Sequence, residues 1–336
     1  MSKEIIHTMP GDANFYWFDD LPKQIYSKEI IQLRGSDTLN LEFLKTCLVL
    51  LDHGIAKARL ALYKNSNLTY HNQKAMSIGN YESVDDLELS KFLLDFAFSE
   101  AKLYGVQFII GPMNGSTWDN YRFSQHHLAP NFLLEPYHYL YYNQQFIHAG
   151  FSTIASYTSS FDSKIFYDID AVLKREKELK ALGLQIRSID LNHIEDELSN
   201  LYPFILEAFS NNFLYTPIAF ETFKNKYLEA LKLMDSKYVL IAEDSTNQII
   251  GFLFAYKDLF DTSSKTLVVK TVARNSQKQW AGLGLVLGNH LVRIAAKNGF
   301  TQLIHAFMIN EATSSQLSKT FSGNIYKNYV LYGKAI

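Results

Sequence analysis

Cysteine is almost absent. Only Cys47 occurs in 336 residues, which excludes an intramolecular disulfide and any cysteine-cluster metal site. It stands in the apolar run Cys47-Leu-Val-Leu-Leu51, where a buried strand position is expected rather than a nucleophile. No run of about 18 apolar residues exists, so no membrane span is expected. The start, Met-Ser-Lys-Glu, has no apolar signal core. Lysine and arginine form no dense block, and the formal net charge is only −2. The electrostatic footprint of a nucleic-acid binder is missing. These absences imply a cytoplasmic, soluble protein without nucleic-acid or membrane partners.

What is present reads as globular. Hydrophobic residues make up 47% and charged residues 20%, which argues against disorder. The length suits two domains better than one. Aromatic residues reach 14%, enough to fill a tyrosine-rich core or wall a deep pocket.

The chain repeats itself. Lys45 to Gly54 followed by Ile55 to Tyr63 is an apolar run, a polar turn and a second apolar run. Lys237 to Asp244 followed by Gln248 to Tyr256 has the same form. Both predict a β-hairpin. Ala101-Lys-Leu-Tyr-Gly105 leads into Phe108-Ile-Ile, and Ala296-Lys-Asn-Gly299 leads into Leu303-Ile304. Each predicts a helix, a glycine cap and a buried strand. The order hairpin, helix, strand thus occurs twice, which implies duplication. Asp168 to Gly183 has a charged, helical pattern, with Lys174-Arg-Glu-Lys-Glu178 on a solvated face. The expected division is 1–165, a linker helix at 166–183, and 184–336.

One loop carries recognisable chemistry. Thr266 to Ala273 is rich in β-branched residues and predicts a strand. Gln279-Trp-Ala-Gly282-Leu-Gly284-Leu285 follows and runs into an apolar helix. A strand, a glycine loop and a helix start form an anion site, because the first helical N–H groups lack internal partners and the helix dipole adds positive potential. The spacing matches neither the lysine-containing phosphate loop nor the three-glycine dinucleotide fingerprint.

Gln279-x-x-Gly282-x-Gly284 after a strand resembles the coenzyme A signature of the GNAT superfamily of N-acetyltransferases. The resemblance covers most of both halves. It implies an α+β chain of two GNAT-like domains, each a mixed, mostly antiparallel sheet flanked by helices. It further implies acyl transfer from acyl-CoA, usually acetyl-CoA, to a small amine or amino-acid-like acceptor. By that resemblance, Gln279, Trp280, Ala281, Gly282, Leu283, Gly284 and Leu285 hold the pyrophosphate through backbone N–H groups. Thr271, Val272 and Ala273 would pair with pantetheine, and Asn310 would lie beside the thioester arm. The general acid is not where the family pattern puts a tyrosine: Lys319 stands four residues before Gly323. Either Tyr326 or Tyr329 substitutes, or water protonates the thiolate. Glu243 and Glu207 are the expected bases. Two other functions stay open, an acyl-CoA sensor without chemistry and an aminoacyl transferase using charged tRNA.

The N-terminal copy departs at the decisive place. Glu88 and Ser90 align with Gly282 and Gly284, at the end of and just after Ser83-Val-Asp-Asp-Leu-Glu88. Carboxylates there suit the helix dipole but repel a pyrophosphate. That copy is expected not to bind coenzyme A. Its run Gly111 to Arg122 instead groups Trp118, Tyr121 and Arg122, an expected wall of the acceptor site in which Arg122 would clamp a carboxylate. No metal is expected: His126 and His127 are adjacent and have no third ligand in the sequence. His305 reads as core or pocket lining.

Overall fold

The chain opens with β1 (Lys3–Thr8), α1 (Tyr16–Ile25) and α2 (Lys28–Arg34). The first expected hairpin follows as β2 (Leu44–Asp52) and β3 (Ile55–Tyr63), antiparallel from Leu44↔Tyr63 to Asp52↔Ile55. Burial along β2 is nearly continuous rather than alternating, because both faces are covered. Leu48 and Leu50 join one core, while Cys47, Val49 and Leu51 join Phe18 and Leu21 of α1 in another. Cys47 is fully buried, and burial pushes its thiol up to about 12. It is a packing residue.

Next come β4 (Thr69–Tyr70), β5 (Gln73–Ser83), α3 (Leu87–Leu103), β6 (Phe108–Gly111), β7 (Phe123–Ser124), α4 (Tyr141–His148) and β8 (Ser152–Asp162). The order then begins again after α5 (Asp170–Ala181). It runs β9 (Gln185–Ser188), α6 (Ile194–Phe209), α7 (Phe220–Leu231), β10 (Val239–Glu243), β11 (Ile249–Lys257), β12 (Thr266–Arg274), α8 (Leu283–Lys297) and β13 (Gln302–Ile309). The last strand is β14 (Asn324–Ala335). This computed structural model describes residues 3–34, 37–165, 167–231, 235–309 and 324–336. Strand, two helices, hairpin, strand, helix, strand therefore occurs twice. The sheet order repeats as well, β1-β2-β3-β5-β6 in one copy and β9-β10-β11-β12-β13 in the other. Each copy has one parallel pairing, β5 with β6 and β12 with β13.

The chain divides into two compact units. One holds Met1–Ser156, Phe213–Thr216 and Lys327–Ile336; the other holds Tyr157–Asn212 and Pro217–Tyr326. This differs from a cut around a linker at 166–183, for two physical reasons. First, α5 is built into the second unit. Its Val172 and Leu179 are buried in the core with Leu287 and Leu291 of α8, worth about 1.5–3 kcal/mol per side chain. Arg293 of α8 also pairs with Asp168 at 2.5 Å and with Glu176 at 3.0 Å. Second, β14 pairs with β6 from Tyr332↔Gly111 to Ala335↔Phe108 and puts Val330 and Tyr332 into the first core.

A buried ion pair fastens β14 within the first unit. Lys327 is fully buried; its Nζ donates to Glu135 Oε2 and Asn131 Oδ1, both at 2.7 Å. Tyr329 donates its hydroxyl to Glu135 Oε1 at 2.9 Å. Burial lowers the Lys327 pKa and raises that of Glu135, so desolvation opposes both charges even though each faces its partner. Removing one partner strands the other. Lys327→Met is expected to lower stability in denaturant unfolding by about 3–5 kcal/mol, and adding Glu135→Gln should restore much of that loss.

His138 is sealed in the same unit. Its Nε2 accepts from the Ser124 N–H at 2.6 Å and its Nδ1 lies 2.9 Å from the Tyr139 carbonyl, an arrangement suited to the neutral ring. Burial pushes its pKa down to about 3, against about 6.5 for an unfolded histidine. The folded state binds this proton less readily, so the contribution to stability is complete above pH ~6.5 and is lost as pH falls toward 3. His138→Gln should flatten the acid limb of a stability-versus-pH curve; an unchanged slope would assign that limb to other groups.

Candidate functional site

The site in the second unit starts with one extra residue. Along β11 and β12 the register runs Tyr256↔Val268, Ala255↔Val269 and then Phe254↔Thr271, so Lys270 is inserted. Such a bulge bends its strand. On the other edge, β12 pairs with β13 only from Thr266↔Gln302 to Val269↔His305. Beyond that point Thr271–Arg274 pair, among the described residues, with β11 alone. β13 goes the other way: it breaks register at Phe307, whose φ is 58°, and rejoins β8 at Met308↔Thr158. The two central strands therefore part, and Thr271, Val272 and Ala273 border the opening.

The chain then passes through a short turn at Lys278–Trp280 into α8. Trp280 and Leu283 bury their side chains in the core, so the loop can offer a ligand only backbone there. Gly282 precedes the first turn with φ 83°, the left-handed conformation that glycine adopts without strain. Among the described residues no side-chain hydrogen bond caps this helix start. The N–H groups of Leu285 and Val286 return to the Gly282 carbonyl, which leaves those of Leu283 and Gly284 without a backbone acceptor among the described residues. Gly284 is buried, with no Cβ between its amide and an approaching group. This is the donor set an anion requires.

The expected residues thus fall into two groups. Thr271, Val272, Ala273 and Gln279 to Leu285 form one continuous strand–loop–helix surface. The proposed acid and bases do not gather on it in usable form. Glu243 is held by Arg187 at 2.6 Å, and Arg187 also pairs with Glu197 at 2.5 Å. These two carboxylates raise the Arg187 pKa, and the pair ties Glu243 at the end of β10 to β9. Glu207 lies exposed near the end of α6. Tyr326 stacks on Phe161 with centroids 5.4 Å apart. Tyr329 is committed to Glu135 in the first unit. Asn310, Lys319 and Gly323 lie outside the described residues.

Two features escaped sequence reasoning. His305, at the last pair before the strands part, lies 3.2 Å from Asp162 Oδ2, and both side chains are buried. Nothing in the sequence ties Asp162 to a histidine so far along the chain. The other is Arg175, which lies in a charged run that reads as solvated. Its guanidinium reaches the carbonyls of Gln279 and Ala281.

The first unit keeps the same architecture with its openings filled. Its parallel pairing runs from Ala75↔Phe108 to Ser77↔Ile110, and β5 carries its own register shift against β3. The chain itself then enters the gap. Met113 N–H donates to the Ile78 carbonyl at 2.7 Å, and Asn80 N–H to Asn114 Oδ1 at 2.9 Å. A Cβ on Gly79 would stand 2.3 Å from Asn114 Oδ1, so only glycine admits this segment. At the start of α3 the Asp86 carboxylate accepts from the N–H groups of Glu88 and Leu89, each at 2.9 Å. The anion position is taken by a side chain. Above the strand, Arg34 pairs with Glu82 and Arg59 with Asp37.

The segment after β6 is also spent internally. Trp118 donates its indole N–H to the Thr216 carbonyl at 2.9 Å within the same unit. Arg122 is buried and lies over the Tyr121 ring at 3.7 Å. These contacts describe a packed segment in which the Arg122 guanidinium is buried rather than in bulk solvent. Among the described residues no cluster of three or more potential metal ligands occurs, and no helix is long and apolar enough to cross a membrane.

No protein-family profile matches the chain, and no curated protein matches it. Solved structures do resemble it. A GCN5-related N-acetyltransferase from Sphaerobacter thermophilus superposes with a TM-score of 0.54 at 12% identity, covering 99% of this chain and 95% of the other. A tandem GNAT protein from the clavulanic acid biosynthesis pathway gives 0.56 at 10% identity, covering 99% and 98%. The structure describing a GCN5-related glucosamine N-acetyltransferase region in a fungal multi-domain GH3 β-N-acetylglucosaminidase gives 0.58 at 14% identity; 99% of this chain is covered and 38% of that one. The chain thus spans well under half of that protein's length. With the repeated element order, these likenesses establish that the chain has the tandem-domain GNAT N-acetyltransferase fold.

Proposed function

We propose that the protein is an acyl-CoA-dependent N-acyltransferase that uses acetyl-CoA and acts through its second unit on a small amine or amino-acid-like acceptor. The observation that carries this reading is the contrast between two copies of one fold. The first unit satisfies its parted strands and helix start with its own Asn114 and Asp86. The second leaves the helix start uncapped behind Gly282. Buried backbone donors need a partner, and a coenzyme A pyrophosphate with its pantetheine arm suits this shape and charge.

Bound acyl-CoA would supply an activated thioester. The chain's own residues have simpler tasks. N–H groups of Gly282, Leu283 and Gly284 would hold the phosphates, and the bordering edge of Thr271 to Ala273 would align the arm. Glu243 is engaged by Arg187, so we assign the uptake of the amine proton to His305, which Asp162 holds at the end of the paired strands. A non-catalytic acyl-CoA sensor is favoured by one observation: Glu243 and Tyr329 are both committed to internal partners.

Calorimetry on the full chain with coenzyme A should show one site per chain. Gly282→Glu puts a carboxylate beside the phosphates and should weaken binding by roughly 100-fold or more, ~2.7 kcal/mol, while Asp86→Ala in the first unit should leave affinity unchanged. Loss of binding in the Asp86 variant alone would place the site in the wrong unit. Thiol release from acetyl-CoA with a panel of small primary amines then separates enzyme from sensor. His305→Gln should lower kcat about 10²-fold, the lower end of the usual range for general base removal, with coenzyme A affinity unchanged.

A further inference from the structure

The anion loop of the second unit is gripped from outside the repeated order. Helix α5 directly precedes β9, the strand that opens the second copy. Its Arg175 donates from Nη2 to the Gln279 carbonyl at 2.6 Å and from Nε to the Ala281 carbonyl at 2.8 Å. The third branch, Nη1, meets Glu178 at 2.8 Å, which fixes the plane of the guanidinium. The helix is itself held rigidly by Val172 and Leu179 in the core and by the pairing of Glu176 and Asp168 with Arg293. The Asp168 N–H adds a bond to Asn289 Oδ1 at 2.7 Å.

The consequence follows from peptide geometry. In a trans peptide the carbonyl and the following N–H point in opposite directions. Drawing the Ala281 carbonyl toward Arg175 therefore turns the Gly282 N–H away from it, to the opposite side of the peptide. The guanidinium also withdraws two carbonyl oxygens that would otherwise repel an anion, and it brings a permanent positive charge to the loop. Arg175 packs so close to Gly282 that an added Cβ would lie 3.1 Å from its Cγ.

We propose that Arg175 is a positioning residue for the diphosphate of an acyl-CoA: it acts through the loop backbone and fixes which peptide groups face the ligand. This rests on the reading of the second unit as an acyl-CoA site. A structural staple alone would change stability without discriminating between ligands. A positioning role should act on ligands that carry the diphosphate and spare those that lack it.

The test uses the full chain. Arg175→Ala should raise the Kd for coenzyme A about tenfold, the effect of losing a charge-assisted pair of bonds. The KM for acetyl-CoA should rise in step with kcat little changed, while activity with acetyl-pantetheine, which has no diphosphate, should stay near that of the wild type. Arg175→Lys keeps the charge but loses the two-carbonyl grip, and should fall between the two; it also serves should the alanine variant fold poorly. Wild-type protein that fails to bind coenzyme A overturns the functional reading itself. Wild-type binding matched by equal affinity in both variants, or an equal loss with acetyl-pantetheine, overturns the role of Arg175 alone.

Discussion

Lys270, the extra residue in β12, is the constraint on which the site depends. A regular parallel pair would close its backbone hydrogen bonds along its whole length and leave nothing for a ligand. The insertion instead ends the β12–β13 ladder at Val269↔His305 and turns the rest of β12 aside. Four residues of a central strand then have no strand partner on one edge among the described residues. Helix α8 starts a few residues later, so the unpartnered strand edge and the uncapped helix start are covalently tied into one surface.

The first unit shows what the same geometry requires when no ligand is expected. Its strands part as well, and burial cannot tolerate unmet backbone groups. The chain meets them by folding Gly111–Asn114 into the opening and placing Asp86 on the helix start. Those contacts use atoms that are already covalently local, so ordering them costs less entropy than capturing a separate molecule. A duplicated fold has thus diverged through what fills its opening, while sheet order and helix placement stayed the same. Arg175 extends the contrast. In the second unit a residue from outside the repeat steadies the loop backbone, whereas the first unit has a carboxylate in the loop's place.

Much of this was legible in the sequence because hydrophobic period and glycine position report local structure directly. The two hairpins, the two helix–strand units and the loop at Gln279 to Leu285 all sit on short, contiguous segments. The presence of carboxylates in place of glycine at the first unit's helix start was legible for the same reason, but the helix starts equate Asp86, rather than Glu88, with Gly282. What escaped notice depends on distance along the chain. The return of β14 to the first unit pairs residues more than 200 positions apart, and no local pattern encodes it. Glu243 looked available as a base because Arg187 meets it only after β9 pairs with β10. Arg175 looked solvated because the run around it is charged, yet helical spacing turns Val172 and Leu179 inward and leaves Arg175 facing the loop. Trp118 and Arg122 had the composition of a binding surface; the Thr216 carbonyl and the Tyr121 ring that occupy them could not be read from their neighbours in sequence.

The central claim is that one copy offers its backbone to acyl-CoA and the other has closed the same place with its own atoms. Amide hydrogen exchange of the full chain with and without coenzyme A tests this most directly. The account predicts slowed exchange confined to Thr271–Ala273 and Gly282–Leu285, with Ile78–Ser83 and Asp86–Leu89 unchanged. Slowed exchange at Asp86–Leu89, or none at Gly282–Leu285 under saturating coenzyme A, would contradict it.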